Sequence, residues 1–319
     1  MKIINLITDE EITTDTFSNN DYLNPQFEIR DLKEKDLELL SRKFNIDLLD
    51  LEDVYDQEER PRVDFDVKNQ YLELVLRYPL DFNSENKSTP IICFLKPKCY
   101  CIILHRLEEF ISLSTKSMKR LRHEIIANVE YLPVLSLMKY LIGLASQTEK
   151  TIKQLQTIKD DLENQIFKSR ETEGLKDMFH LSKSVVVFEN NMKGNLIQLR
   201  KIMNHETLKI KDNSEIGSRF DDLETDFEQY YDQIRIMREI INSSLDAYGS
   251  VIANNLNEVM KTLTVFTILL TSPILIASIY GMNVPLPFSG HPYTIYFILI
   301  LSVFLSVIMI FYMKQRNML

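Results

Sequence analysis

Residues 263–280 read LTVFTILLTSPILIASIY and residues 294–313 read TIYFILILSVFLSVIMIFYM, runs of 18 and 20 positions without a charged side chain. A hydrocarbon core about 30 Å thick needs roughly 20 helical residues, so each run is long enough to cross it. The segment between them, GMNVPLPFSGHPY at 281–293, holds three prolines and two glycines and cannot continue a helix. The stretch reads as a transmembrane hairpin with a short turn. Two buried helices of a soluble core are the competing reading, and runs this long, adjacent and uncharged weigh against it.

The charges around the hairpin set its orientation. None of the 52 positions from 262 to 313 is Lys, Arg, Asp or Glu. Residues 1–261 carry all 46 acidic and 35 of the 37 basic side chains, a net charge of −11. Lys261, Lys314 and Arg316 flank one membrane face, and the loop 281–293 has neither Lys nor Arg. The positive-inside rule puts both termini in the cytoplasm, with the acidic domain and the basic tail 314–319, and the turn outside. The expected location is the cytoplasmic (plasma) membrane, crossed by more than one pass.

Composition excludes several classes. An acidic chain is a poor match for a phosphate backbone, so no nucleic-acid partner is expected. There are only seven glycines, none before Gly143, and no G-x-G-x-x-G or G-x-x-x-x-G-K-[ST] loop for a nucleotide. Cys93, Cys99 and Cys101 are too few for a disulfide scaffold and fit a reducing compartment. The opening MKIINLITDEEITT has too short an apolar run for a signal peptide.

The two spans differ in polarity. Thr264, Thr267, Thr271, Ser272 and Ser278 make the first more polar, whereas the second is almost entirely Ile, Leu, Val and Phe. A polar inner helix beside an apolar outer one is what a pore-lining arrangement requires. The plainer alternative is that the hydroxyls bond back to their own helix. Pro273, inside the first span, removes one backbone donor and implies a kink.

The expected fold is an α+β cytoplasmic domain with long coiled-coil-like helices, followed by the two-helix transmembrane hairpin. Residues 1–132 form the α/β part, with a helix over 30–44, strands over 62–67, 70–79, 90–95 and 99–105, and a further helix starting near Leu107. The sheet is expected to be largely antiparallel, with a strand order that the sequence does not reveal. Residues 133–217 form a helical hairpin turning near 170–174. Ile152, Leu155, Leu162 and Ile166, then Met178, Leu181, Val185, Phe188 and Met192, supply its apolar stripes. After a break at 211–217 a third stripe runs through Leu223, Phe227, Tyr230, Ile234, Met237 and Ile241. No proline occurs between Pro133 and Pro273. One helix is therefore expected from about Ser218 to Tyr280, on the order of 90 Å long. Residues 218–262 are its cytoplasmic stalk and 263–280 its membrane part, a mechanical link or a static support.

Other constellations lead nowhere chemical. Cys99, Cys101 and His105 would share a strand face, but zinc sites need paired ligands and no second pair exists. The acids Asp50, Glu52, Asp53, Asp56, Glu58 and Glu59 lack EF-hand spacing and read as a solvated face or helix end. No nucleophile–base arrangement stands out, so no enzyme is expected.

Tyr280-Gly281-Met282-Asn283 closes the first span just before the second. This resembles the CorA-type divalent-cation channel family, whose hallmark is G-M-N at the outer end of the first of two C-terminal helices. The likeness continues through LDAYGSVIANNLNEVMKTLT at 245–264 and LEDVYDQEERPRVDFDVKNQYLELVLR at 51–77. It implies a homopentamer in the lipid bilayer, which agrees with the fact that two helices per chain cannot enclose a pore. It implies a selectivity filter of Gly281, Met282 and Asn283, with a ring of Asn283 amide oxygens and Gly281 carbonyls holding a hydrated ion. Mg²⁺ sheds its waters reluctantly, so such a site needs no carboxylate. Gly281 is expected to permit a turn that a Cβ would hinder; a capping Gly and Asn would fit the same residues.

The resemblance further implies Asn257, Met260 and Leu263 at the cytoplasmic pore entrance, the last two as a constriction that gates by dewetting. Thr271 and Ile274 fall on lumen-facing positions. Ile274 stands where relatives often have a hydroxyl, Pro273 comes one position later than in many, and 284–293 lacks the acids that often follow G-M-N. Asp222, with Asp221 and Asp226 nearby, aligns with an acid that binds regulatory Mg²⁺ between subunits. Five acidic domains would repel one another, and internal divalent ions at their interfaces would relieve that repulsion and hold the gate shut. Plain surface acidity is the alternative.

The function implied is Mg²⁺ transport, with Co²⁺ or Ni²⁺ as further cargo, and Mg²⁺ as transported and regulatory ion. A zinc or other transition-metal transporter on the same fold is the near alternative; the absence of Cys and His from the first span favours a hard, hydrated ion. A non-conducting membrane-anchored scaffold or sensor accounts for the hairpin but not for a polar span ending in G-M-N.

Overall fold

The computed structural model describes residues 1–19, 24–79, 88–107, 131–169, 172–283, 287 and 292–315. They fall into two units, Met1–Ser243 and Ser244–Leu319.

The first unit starts with β1 (Lys2–Asn5), β2 (Glu11–Ile12), α1 (Thr14–Asn19), β3 (Gln26–Arg30), α2 (Glu34–Phe44) and α3 (Leu48–Glu52). Next come β4 (Arg62–Asp66), β5 (Tyr71–Pro79), β6 (Ser88–Lys96) and β7 (Tyr100–His105). The seven strands form one sheet in the order β2-β1-β3-β7-β6-β5-β4. Every pairing is antiparallel except β3 with β7, where Phe27 lies opposite Ile102. The side-chain period of two sends Phe27, Ile29, Val75, Ile92, Phe94, Ile102 and Leu104 to one face, where they pack with Phe17, Leu37, Leu40, Phe44 and Leu51.

The other face is covered by α4 (Leu132–Ser169), against β6 and β7, and α5 (Thr172–Met203), mainly against β5 and β4. The domain is thus three layers, helices on both sides of a mixed sheet. Two buried polar pairs tie its layers together. His105 Nε2 and Glu28 Oε1 are 2.8 Å apart and fully buried, and Lys139 on α4 donates to the Leu6 carbonyl at 2.7 Å. Gly194 on α5 allows a close approach: a Cβ there would lie 2.7 Å from Pro61 Cγ.

Four strands match the expected ones within two residues. β1, β2 and β3 were not foreseen, and α2 begins at Glu34 because Arg30 ends β3. The expected helix near Leu107 falls on 108–130, outside the described residues, as do 170–171 of the helical turn.

α6 runs Ser214–Tyr280, unbroken through Pro273. It starts four residues before the expected Ser218 because the Asn213 side chain accepts from the backbone N–H of Glu215 (3.1 Å) and Ile216 (3.2 Å), capping the first turn. Within the first unit its buried stripe is Leu223, Phe227, Ile234, Met237 and Ile241, with Tyr230 half-buried. Arg200 of α5 bonds Glu224 (2.6 Å) and Glu228 (3.1 Å), and Arg238 reaches Glu189 of α5 at 3.0 Å.

The second unit holds the remainder of α6 and α7 (Thr294–Gln315). Both helices are long and apolar enough to cross a membrane.

Candidate functional site: a polar helix face ending in Gly-Met-Asn

Over residues 263–280 of the second unit, the covered positions of α6 form one stripe. Val265 and Ile276 are buried, and Ile268, Leu269, Pro273 and Tyr280 are half-buried. At 100° per residue, Met260, Leu263, Thr267, Thr271, Ile274 and Ser278 centre roughly 180° away from it. All six are exposed in the single chain; Met260 is 56% accessible, Leu263 61% and Ile274 65%. Asn257 is exposed too, on the flank of this stripe roughly 80° round from its centre. The expected entrance, constriction and lumen residues therefore share one side of α6, with Asn257 at its margin.

Hydroxyls separate this side from a face made for lipid. Thr264, Thr267 and Thr271 each donate to the carbonyl four residues back, on Met260 (2.8 Å), Leu263 (2.8 Å) and Thr267 (2.7 Å). This is the back-bonding that the sequence left as an alternative, and it does not remove the hydroxyls from use. A hydroxyl whose proton points into the helix keeps lone pairs to accept from outside. Those acceptors suit the waters of a hydrated cation, which present hydrogens outward. On α7 the corresponding groups, Ser302 and Ser306, lie on its covered stripe, Ser302 buried and Ser306 half-buried. Its exposed positions there are aliphatic and aromatic, among them Val303, Phe304, Val307 and Phe311.

Gly281 caps α6, donating to the Ala277 carbonyl at 2.9 Å, and Met282 donates to the Ile279 carbonyl at 3.2 Å. The expected need for an unusual backbone at Gly281 is corrected. Its φ is not positive, and an added Cβ would meet Ala277 O at 3.4 Å, an ordinary contact. The helical hydrogen bond holds this residue in a conformation open to any side chain, so glycine here leaves space and an uncovered carbonyl. Met282 is 57% exposed, and Asn283 is exposed. The neighbouring positions 284–286 and 288–291 lie outside the described residues.

Asp222 and Asp226 occupy successive turns of α6 in the first unit, both exposed. Partial burial, then the charges of Asp222 and Glu149, push the Asp226 carboxyl above its ordinary range. Among the described residues no three His, Cys, Asp or Glu side chains of the one chain are placed to hold a metal ion.

The acidic run at 50–59 is more than a solvated face. Arg62, on the edge strand β4, bonds Asp53 (2.7 Å), Asp64 (2.6 Å), Glu73 (2.7 Å) and Glu59. Burial pushes the Glu73 carboxyl up to about 8 despite Arg62 beside it. The Asp53 hydrogen bond and the Glu59 charge work against burial and keep the guanidinium protonated. No local spacing announces this hub, because its members come from separate strands and turns. Cys99 lies outside β7 and is exposed, while Cys101 and His105 are fully buried, so these three do not converge.

With this geometry in hand, three comparisons bear on the chain. The family model described as CorA-like Mg²⁺ transporter protein matches residues 27–315. A cobalt/magnesium transport protein CorA of Methanocaldococcus jannaschii is 26% identical over 319 residues, covering 95% of this chain and 93% of that one. One of Thermotoga maritima is 24% identical over 281 residues, covering 86% and 77%. Among solved structures, the complete CorA magnesium transporter from Methanocaldococcus jannaschii superposes with a TM-score of 0.75 at 23% identity, covering 98% and 96%. The full-length CmaX protein (0.64, 12%, covering 97% and 96%) and the ZntB cytoplasmic domain from Vibrio parahaemolyticus (0.54, 10%, covering 81% and 98%) share the fold alone.

Proposed function

The chain belongs to the CorA-like Mg²⁺ transporter protein family, a family of transporters and not of enzymes, and from that premise we propose that it forms a homo-oligomeric channel for hydrated Mg²⁺. The observation that carries the reading is the hydroxyl-bearing face of α6, turned away from its covered stripe and ending at Asn283. Copies arranged around an axis would line a path with that face and leave the aliphatic surface of α7 to lipid.

In this reading Asn283 amide oxygens and Gly281 carbonyls gather the ion with its water shell at the outer end. Thr271 and the other hydroxyls accept from those waters along the path, and Ile274 interrupts them with an apolar ring. Met260 and Leu263 form the narrow dry segment, with Asn257 next to it on the cytoplasmic side. A dry constriction blocks a hydrated ion with no charge on the gate. Both termini lie in the cytoplasm, and five is the copy number expected. Asp222 and Asp226 take internal Mg²⁺ between neighbouring copies, which draws the acidic domains together and holds the constriction shut. Co²⁺ and Ni²⁺ are secondary cargo.

The test is rescue of a Mg²⁺-dependent strain with total cell metal measured. Magnesium accumulation that follows expression of the chain supports the reading. Zinc accumulation without magnesium would replace it with a zinc transporter on this fold.

A further inference from the structure

We infer that the first unit contains a binding site for a small oxyanion, of the phosphate or carboxylate class, built on Arg77 and Asn191. Arg77 lies in β5 and is 8% exposed. Its Nε donates to Ser88 Oγ (3.1 Å), Nη2 to Ser88 Oγ (2.6 Å) and to the Ser88 carbonyl (3.2 Å), and Nη1 to the Glu59 carbonyl (3.0 Å). Every acceptor is a neutral oxygen, and one of the five guanidinium N–H groups is left over. Among the described residues no carboxylate bonds to it. For a cation this deep, bonded only to neutral groups, the charges of Glu58, Asp56 and Glu59 offset only part of the desolvation cost.

A second unmet group belongs to a residue of the same cavity wall, closed off from solvent and reached from the cavity by a turn of its side chain. Asn191 Nδ2, on α5, is buried and has no hydrogen-bond partner. One turn further along α5, Asn195 fixes the relation of helix to strand: its Oδ1 accepts from the Arg77 backbone N–H at 2.8 Å, and its Nδ2 donates to the Arg77 carbonyl at 2.7 Å. Arg77 and Asn191 both line a cavity of about 560 Å³, with Asn190 and Gln57 as further amides. A buried cation and an orphan donor on one cavity are jointly satisfied by an anion with several lone pairs, which phosphate and carboxylate supply in a geometry that suits guanidinium.

Two carboxylates also reach this cavity. That of Glu59 is already engaged by Arg62. Glu58 is exposed and acts on Arg77 through space, as does exposed Asp56 from outside the cavity lining. Glu58 is the built-in competitor, and its charge makes the site selective for small anions over large polyanions.

The test is thermal unfolding of the full chain in detergent, titrated with sodium phosphate and separately with sodium acetate, each against sodium chloride at equal ionic strength. A saturable rise in Tm with phosphate or with acetate is expected, and the anion that produces it assigns the class. Asn191→Leu, which removes the orphan donor, should weaken the response at least tenfold in half-saturating concentration, as should Arg77→Gln. Glu58→Gln should strengthen it severalfold. If Arg77→Gln does not fold, the Asn191 and Glu58 variants decide. No anion-specific rise in the wild type, or an unchanged response in Asn191→Leu, overturns the site.

Discussion

Asp226 stands one helical turn beyond Asp222 on α6, and partial burial together with the Asp222 and Glu149 charges holds its carboxyl above the usual range. A carboxyl raised in the folded state binds more protons folded than unfolded, so the stability it contributes falls as pH rises through its folded pKa. Solvent screening at this exposed position limits the effect to about 0.5 kcal/mol. Asp226→Asn is expected to raise Tm slightly at neutral pH without Mg²⁺ and to shrink the further rise that Mg²⁺ brings. Thermal melts with and without Mg²⁺ check this. A full Mg²⁺ response in the variant would remove Asp226 from the regulatory site.

Glu73 supplies a second pH dependence with the same sign and a deeper origin. Its side chain is nearly inaccessible, its Oε1 has no hydrogen-bond partner, and burial lifts its carboxyl to about 8. The stability it contributes is complete below the ordinary range near 4.5 and is lost as pH rises through about 8. Glu73→Gln keeps the shape and an acceptor for Arg62. It should be more stable than wild type at pH 9 by about 2 kcal/mol and lose the slope between pH 6 and 9. Equal slopes in urea unfolding of the two proteins would contradict this.

Gly194 tests the packing of α5 on the turn before β4. A methyl group there would overlap the Pro61 ring, which cannot swing aside as a flexible side-chain end would. Gly194→Ala should destabilise by about 1–3 kcal/mol even though alanine favours helix. A Tm at or above wild type would show that the turn yields freely.

The membrane half was the more legible in the sequence, because 52 uncharged positions broken by three prolines in one turn leave few alternatives. The stripes of α5 and α6 were legible for the same reason, since a period of 3.6 is local. β3 was not: its five residues run directly into the charged helix pattern of Arg30–Phe44 and were absorbed by it. β1 and β2 are too short to show a period. The Arg62 hub and the Arg77 cavity join residues whose meeting depends on strand order, which single-sequence periodicity does not contain. Gly281 was singled out for the wrong physical reason, because local spacing shows a glycine but not its φ.

Leu263 and Met260 tie the polar face to gating. If dryness closes the pore, a polar side chain at the narrowest ring should let water and ions through at rest. Leu263→Ser is expected to raise Mg²⁺ flux at high internal Mg²⁺ by about tenfold or more, the equivalent of roughly 1.4 kcal/mol of barrier. Flux in proteoliposomes loaded with Mg²⁺ reads this directly, and an unchanged closed-state leak would place the gate elsewhere.

The most direct test of the transport account is Mg²⁺ influx into proteoliposomes containing wild-type chain or Asn283→Ala, with protein amount and oligomeric size matched. The account predicts that wild type admits Mg²⁺ down its gradient and that the Asn283 variant loses most of that flux while keeping its assembly. Equal influx through both proteins would contradict the assignment of the ion-selecting ring to Asn283.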